Sequence, residues 1–244
     1  MSIDKPGIAI LVTGTALNVG KTFVASGLAR SLRSRGLSVG VMKPIEVGWM
    51  ADGGEWPTDA DALRQAADVD DGPEDVCPYV FEDMLAPQLA ADKVRIPIEP
   101  ERILASLDKL RAKYDIVLVE GVGGLAVPID DGYDLADLAA ECRLPVLLVS
   151  PAHIGTLNAS FLTVHYARTK GLEVIGIVAN RFDRTLDDPT ASTNVKMLER
   201  MCKVPVLGVV PDSPMVDSVE GVGELCDTCF DLPRFCDLLG LTPA

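Results

Sequence analysis

The chain has little positive charge and almost no histidine. Lys plus Arg number 22 against 36 Asp plus Glu, giving a formal net charge of −14 over 244 residues. Such a surface repels phosphate backbones and anionic lipid, which argues against nucleic-acid and membrane partners. There are 2 His, at positions 153 and 165, and no Ser/His/Asp spacing supports nucleophilic catalysis. No apolar run is long enough to cross a bilayer. The opening residues MSIDKPG are too polar for a signal peptide, so a cytoplasmic protein is expected. The 6 Cys are too few for a disulfide scaffold in a chain of this size. Cys77, Cys142 and Cys202 lie singly in or beside apolar segments and read as small core residues. Cys226 and Cys229 form a C-x-x-C with Cys236 nearby, but both His are far away in sequence, so a helical tail bearing thiols is preferred to a zinc or redox site.

What is present is a regular alternation. IAILVTG (8–14) is a short, continuous apolar run ending in Gly, as a strand buried on both faces would be. SVGVMKP (38–44), YDIVLVEG (114–121), LPVLLVS (144–150), EVIGIVAN (173–180) and VPVLGVVP (204–211) read the same way. Helical patterns fall between them. Val24, Leu28 and Leu32 are spaced on one face of 20–35, with Gly36 as a stop. TDADALRQAAD reads as a short helix after the loop GWMADGGEWP, and Ile103, Leu104, Leu107 and Leu110 share one side of 100–113. Further helices are expected at 155–170 and 192–202. Helix-length spacers between strands predict parallel crossovers. The fold class is therefore α/β, a doubly wound, mostly parallel sheet of at least six strands with helices on both faces, forming one domain over 1–244. Ligands are expected at the carboxyl ends of the strands.

At the first such end, Gly20-Lys21-Thr22 completes a phosphate-binding loop, although its glycines, Gly14 and Gly20, stand one residue further apart than in G-x-x-x-x-G-K-[ST]. The requirements are still met. Backbone N–H groups and a helix N-terminus can cradle phosphate, Lys21 can neutralise it, and the Thr22 hydroxyl is placed for Mg²⁺. Glu120, at the tip of an apolar strand, fits a Walker-B carboxylate, and the glycines Gly121, Gly123 and Gly124 allow close backbone approach. Lys43 closes the second strand, where a fixed cation could stabilise a transferring phosphoryl group, although a surface Lys is the ordinary reading. Between Asp59 and Asp61, the first suits a helix cap or first turn, and Asp61 is assigned to the metal. Asn180 could read a purine edge or simply cap a strand. His153 and Asn158 flank a loop leading into a helix whose N-terminus could hold a carboxylate.

These residues resemble the dethiobiotin synthetase family, ATP-dependent enzymes that close a ureido ring in biotin synthesis. Gly14-Thr15-Ala16-Leu17-Asn18-Val19-Gly20-Lys21-Thr22 matches the family loop GT-D-T-x-VGKT, so the longer loop is a family trait. KPIEVG, DADAL, APQLAA, VEGVGG and VAN resemble further family segments, and the likeness runs to about Pro211. The resemblance implies ATP held by Asn18, Val19, Gly20, Lys21, Thr22 and Phe23, with Gly121, Val122 and Gly123 alongside and adenine at Asn180 and Pro211. It implies Mg²⁺ on Thr22, Asp61 and Glu120, and Lys43 as the catalytic Lys. The implied substrates are 7,8-diaminononanoate and CO₂. The substrate lies near Val47, with its tail at Gly155 to Asn158 of a partner subunit, hence a homodimer. Ala16 and Leu17 stand where the family is polar, Val47 where it has a hydroxyl, and Gln88 where it has His.

Two other readings compete. A cobyrinate amidase-like synthetase shares the loop but usually carries a glutamine-hydrolysing domain, for which 244 residues leave no room. A nucleotide-switched ATPase of MinD/ParA type carries a Lys early in the loop, where this chain has Thr15, and often a basic amphipathic tail, whereas FDLPRFCDLLGLTPA is not basic.

Overall fold

The run IAILVTG is strand β1 (Ile8–Gly14), and it is apolar on both faces because it is paired on both edges and covered on both sides. The computed structural model describes residues 6–49, 58–182, 189–212 and 219–242. After β1 come α1 (Lys21–Ser34), β2 (Val39–Met42), β3 (Ile45–Val47), α2 (Thr58–Ala67), α3 (Pro73–Val76), β4 (Tyr79–Phe81), α4 (Pro87–Val94), α5 (Pro100–Lys113) and β5 (Ile116–Glu120). The chain continues through β6 (Pro128–Asp130), β7 (Tyr133–Asp134), α6 (Leu135–Glu141), β8 (Val146–Pro151), α7 (Thr156–Thr169) and β9 (Val174–Phe182). It then forms α8 (Pro189–Cys202), β10 (Val206–Pro211), α9 (Val219–Cys229) and α10 (Leu232–Leu239).

Six strands form one parallel sheet in the order β10-β9-β8-β1-β5-β2. From β1 the chain moves one way along the sheet through α1 to β2. It then returns the other way, through α5 to β5, α6 to β8, α7 to β9 and α8 to β10. Right-handed crossovers put helices of opposite travel on opposite faces, so α1 lies on one face and α5 to α8 on the other, which is the doubly wound layout expected. α9 packs back onto α1. β1 therefore sits where the direction of winding reverses, and its carboxyl end opens into the crevice that such sheets use for ligands.

The six expected strands are all present, several with ends shifted by one or two residues. β2 stops at Met42, because the Lys43 N–H leaves the sheet to bond the Val76 carbonyl at 2.7 Å and Pro44 has no N–H to offer. β9 runs on past Asn180 to Phe182. The helix faces follow their spacing: Val24, Leu28 and Leu32 of α1 and Ile103, Leu107 and Leu110 of α5 are buried, with Leu104 half-buried at the flank. A parallel β3–β4 pair, an antiparallel β6–β7 pair and the helices α3, α4 and α6 had no sequence expectation. The C-x-x-C lies in the last turns of α9, where Cys226 packs against Gly27 of α1. Among the described residues no cluster of His, Cys, Asp and Glu is arranged to hold a metal. No helix among them is long and apolar enough to cross a membrane. Most of the loop GWMADGGEWP lies outside the described residues.

Leu28 is fully buried where α1 meets the sheet. Leu28→Ala is expected to cost about 2–5 kcal/mol, read as a lower midpoint in a thermal melt followed by circular dichroism. A loss well under about 1 kcal/mol would mean that α1 does not dock there.

Candidate active site

The loop between β1 and α1 is shaped by backbone that L-residues adopt at a cost. Asn18 has φ 56° and Gly20 φ 90°, and Gly20 is the N-cap of α1 with no side chain capping the helix among the described residues. The first N–H groups of α1 therefore face the loop, which is the arrangement that receives phosphate. The amide Nδ2 of Asn180 donates to the Val19 carbonyl at 2.8 Å, and a Cβ placed at residue 20 would stand 2.1 Å from that nitrogen. Asn180 thus acts first as a tether for the loop, an arrangement that the sequence expectation of purine contact did not include. Pro211, at the end of β10, lies opposite Phe182, two residues beyond Asn180 on β9. Phe23 is half-buried against the core.

Beside the loop lies a buried group of charges. The Lys43 ammonium donates to Glu120 Oε1 at 2.5 Å and to Asp59 Oδ2 at 2.7 Å. The Thr22 hydroxyl donates to the same Glu120 oxygen at 3.0 Å. Lys43 is 3% exposed and Glu120 fully buried, so each charge depends on its partners for solvation. Burial acts to lower the Lys43 pKa, but the charges and hydrogen bonds of Glu120 and Asp59 outweigh it and raise the pKa. Burial likewise acts to raise the Asp59 pKa, but the Lys43 charge and hydrogen bonds from Lys43 and Thr22 leave it lowered. Lys21 is shifted down, first by burial and then by the like charge of Lys43. At neutral pH Lys43 is an ammonium and Asp59 a carboxylate. Among the described residues, Glu120 Oε2 is buried with no hydrogen-bond partner, an acceptor with unused capacity next to the Thr22 hydroxyl.

Asp61 does not join this group. Its carboxylate accepts from Arg64 at 2.9 Å and Gln65 at 2.6 Å, along the outer side of α2. Two residues along a helix point to nearly opposite sides, so Asp59 and Asp61 cannot both face the loop. The stripe Ala60, Leu63, Ala66 and Ala67 marks the inward face of α2. Asp59 extends that stripe, being one and two turns before Leu63 and Ala66. That periodicity was the available signal for choosing Asp59.

A cavity of about 630 Å³ opens beside the loop, and Lys43, Asp59 and Glu120 are not among its walls. Its walls include Ala16 and Leu17, Val47, Met84 to Pro87, Val122 to Pro128, and Leu162 and Tyr166 of α7. Val122, Gly123 and Val47 line it, while Gly121 sits behind, under Leu135. Gly155 and Asn158 are exposed at the start of α7 and do not line the cavity within one copy of the chain. The residues that do line it from α7 carried no sequence expectation. Tyr166 is fixed by donating its hydroxyl to Asp134, whose carboxylate also caps α6. Buried hydroxyls brace the start of α7 against the loop, with Ser150 bonded to Thr156 and to Ser160 at 2.8 Å and within 3.4 Å of Thr15.

A family model described as an AAA domain matches residues 9–220. The ATP-dependent dethiobiotin synthetase BioD of Anoxybacillus flavithermus is 40% identical over 202 residues, covering 82% of this chain and 90% of that protein. The enzyme of the same name from Aromatoleum aromaticum is 40% identical over 220 residues, covering 89% and 96%. This chain belongs to the ATP-dependent dethiobiotin synthetase family. Among solved structures, the cell division ATPase MinD of Pyrococcus furiosus aligns with a TM-score of 0.55 at 22% identity, covering 90% of this chain and 88% of that one. The MinC:MinD complex of Aquifex aeolicus gives 0.60 at 14%, covering 98% of each. At such identities the likeness carries the fold alone.

The four family positions at which this dethiobiotin synthetase homologue departs fall in one place. Ala16, Leu17 and Val47 line the cavity, and Gln88, half-buried on α4, follows directly on its wall residue Pro87. Lys21 and Thr22 of the loop, and Lys43, Asp59 and Glu120 of the charge cluster, are retained. Gly20→Ala is expected to weaken binding of a fluorescent ATP analogue about tenfold or more, because it combines a left-handed backbone with a clash at Asn180. Asn180→Ala, which leaves the Val19 carbonyl without its side-chain donor, should weaken it less. Unchanged affinity in Gly20→Ala would show that this loop does not hold the nucleotide.

Proposed function

We propose that this protein closes the ureido ring of dethiobiotin from 7,8-diaminononanoate, CO₂ and ATP. The observation that carries the reading is the Lys43 ammonium, buried between Glu120 and Asp59 beside a phosphate-binding loop, in a chain of the dethiobiotin synthetase family. As the family resemblance implies, one amine of the diamine takes up CO₂ as a carbamate and loses a proton. A carbamate oxygen then attacks the γ-phosphorus of ATP and ADP departs. The second amine attacks the carbonyl carbon, and phosphate leaves as the ring closes. No protein nucleophile is needed, so positioning and charge stabilisation supply the catalysis.

Lys21 and the N–H groups from Asn18 to Phe23 would hold the phosphates. The Asn180 amide, beside Pro211, would accept from the adenine amino group while keeping the loop in place. Lys43 would neutralise the charge shared between carbamate and γ-phosphoryl oxygens. Thr22, Asp59 and Glu120 would hold Mg²⁺, and the orphaned Glu120 oxygen supports that set. When bound, the ion would neutralise the β- and γ-phosphate oxygens. The apolar cavity suits the aliphatic chain of the diamine, with Tyr166 and Leu17 as walls. Its carboxylate tail would reach the α7 N-terminus at Gly155 to Asn158 of a partner subunit. We therefore propose a homodimer, working in the cytoplasm as a single-domain enzyme.

The test is incubation with diaminononanoate, bicarbonate, Mg²⁺ and ATP. Dethiobiotin should form, and ATP turnover should depend on the diamine. ATP hydrolysis at the same rate without diamine would favour a nucleotide-switched ATPase instead. Lys43→Gln, which keeps a donor toward both carboxylates, should lower the rate at least about a hundredfold while the protein still binds ATP. Asp59→Asn should also fall by at least about tenfold, and Asp61→Asn should stay within about twofold of the parent. The reverse order would restore Asp61 to the metal set.

A further inference from the structure

Glu46 is a buried carboxylate that neither phosphate binding nor the charge cluster has used so far. It stands in the middle of β3 at 5% exposure, and both of its oxygens are engaged. Oε1 accepts from the Asp59 N–H at 3.0 Å and Oε2 from the Ala60 N–H at 3.1 Å. A carboxylate there satisfies two of the N–H groups that the first turn of a helix cannot pair internally, and it complements the helix dipole. Most helices obtain such a cap from a neighbouring residue in sequence. Here it comes from a separate strand, three residues after Lys43.

Residue 59 is consequently held at two points by one short segment. Glu46 holds its backbone amide, and Lys43 holds its carboxylate at 2.7 Å. Fixing the amide fixes the direction of the Cα–Cβ bond, and that direction brings the carboxylate to Lys43 and Thr22. The next residue, Val47, lines the apolar cavity. β3 thus joins the wall of the cavity to the acid beside the phosphate loop. Burying a carboxylate is costly unless its oxygens are satisfied, and an apolar residue at 46 would leave the α2 amides to water or other partners. Burial pushes the Glu46 pKa up, while the hydrogen bonds from Asp59 and Ala60 hold it down, with a net upward shift.

We propose that Glu46 is a positioning residue for the reaction, setting the Asp59 carboxylate against Lys43 and Thr22 by clamping the first turn of α2. The proposal rests on the dethiobiotin synthetase reading above. Its test combines Glu46→Ala and Glu46→Gln with Asp59→Asn in a double-mutant cycle, scored by kcat, by the Mg²⁺ dependence of fluorescent-nucleotide binding and by thermal midpoint. Glu46→Ala should lower kcat by about tenfold and raise the Mg²⁺ requirement several-fold, while nucleotide affinity in EDTA changes less than about twofold. Glu46→Gln, which keeps an acceptor for one amide, should recover part of both effects. In the Asp59→Asn background, Glu46→Ala should change neither by more than about twofold, because the group it positions has gone.

A loss of thermal midpoint with kcat and Mg²⁺ dependence intact would overturn the proposal and leave Glu46 a helix cap. Additive effects in the two backgrounds would overturn it as well. Should Glu46→Ala fail to fold, Glu46→Gln carries the test, and parental kcat and Mg²⁺ dependence in that variant sink the idea. Should the parent protein make no dethiobiotin, the function reading fails, and the Mg²⁺-dependent binding cycle still decides the role of Glu46.

Discussion

One ammonium placed out of water organises the centre of this molecule. Lys43 can remain charged in the interior only if anions are supplied at hydrogen-bonding distance, and removal of one partner from such a group typically costs about 3–5 kcal/mol. The anions come from two other elements, Glu120 from the tip of β5 and Asp59 from the first turn of α2. The end of β2, the end of β5 and the start of α2 must therefore converge within a few ångströms. They do so beside Thr22, in the first turn of α1. With Lys21 close by and Glu46 holding α2, two cations face three carboxylates in a compact, mostly buried group. Lys43 is thus held in place by protein carboxylates, whose charges also act on Lys21, before any anion arrives. Preorganised charge of this kind costs little further reorganisation when the reaction occurs.

The second half of the site has a different character. The cavity beside the loop is walled by Leu17, Val47, Leu85, Val127 and Leu162, and its fixed polar landmark is Tyr166, locked by Asp134. Ala16, Leu17 and Val47 replace groups that are polar in the resembled family, and all three line this cavity, not the charge cluster. Lys43, Asp59 and Glu120 are not among the walls of this cavity, so the charged group and the apolar surface are separate parts of the site. Such apolar walls offer area burial to a methylene chain.

Much of this was legible in the sequence because the relevant signals are local and periodic. The six sheet strands are unbroken apolar runs, since strands covered on both faces cannot alternate. Gly20-Lys21-Thr22 and Glu120 announce themselves by standing at the ends of such runs. The strands β3, β4, β6 and β7 escaped notice because two or three residues are too few to show a period. The role of Asp59 is masked in the sequence because an acid at a helix start has an ordinary explanation as a cap. The reverse holds: Glu46 provides the cap and Asp59 is the group delivered. The α7 wall of the cavity was hidden for another reason. Leu162 and Tyr166 share a cavity with Leu17 only through the tertiary fold, and no spacing in one segment reports a juxtaposition across some 145 positions.

The bond from Asn180 to the Val19 carbonyl spans 161 positions. The nucleotide loop and its helix are complete in sequence by residue 34, yet the side chain that secures the loop arrives only with β9, the fifth of the six parallel strands in chain order. During synthesis a nascent chain would carry the whole phosphate motif long before it could hold that motif in shape. Closing so long a contact belongs among the late, entropically demanding steps of folding. A secured loop in this protein thus reports that β8 has already paired with β1, and β9 with β8.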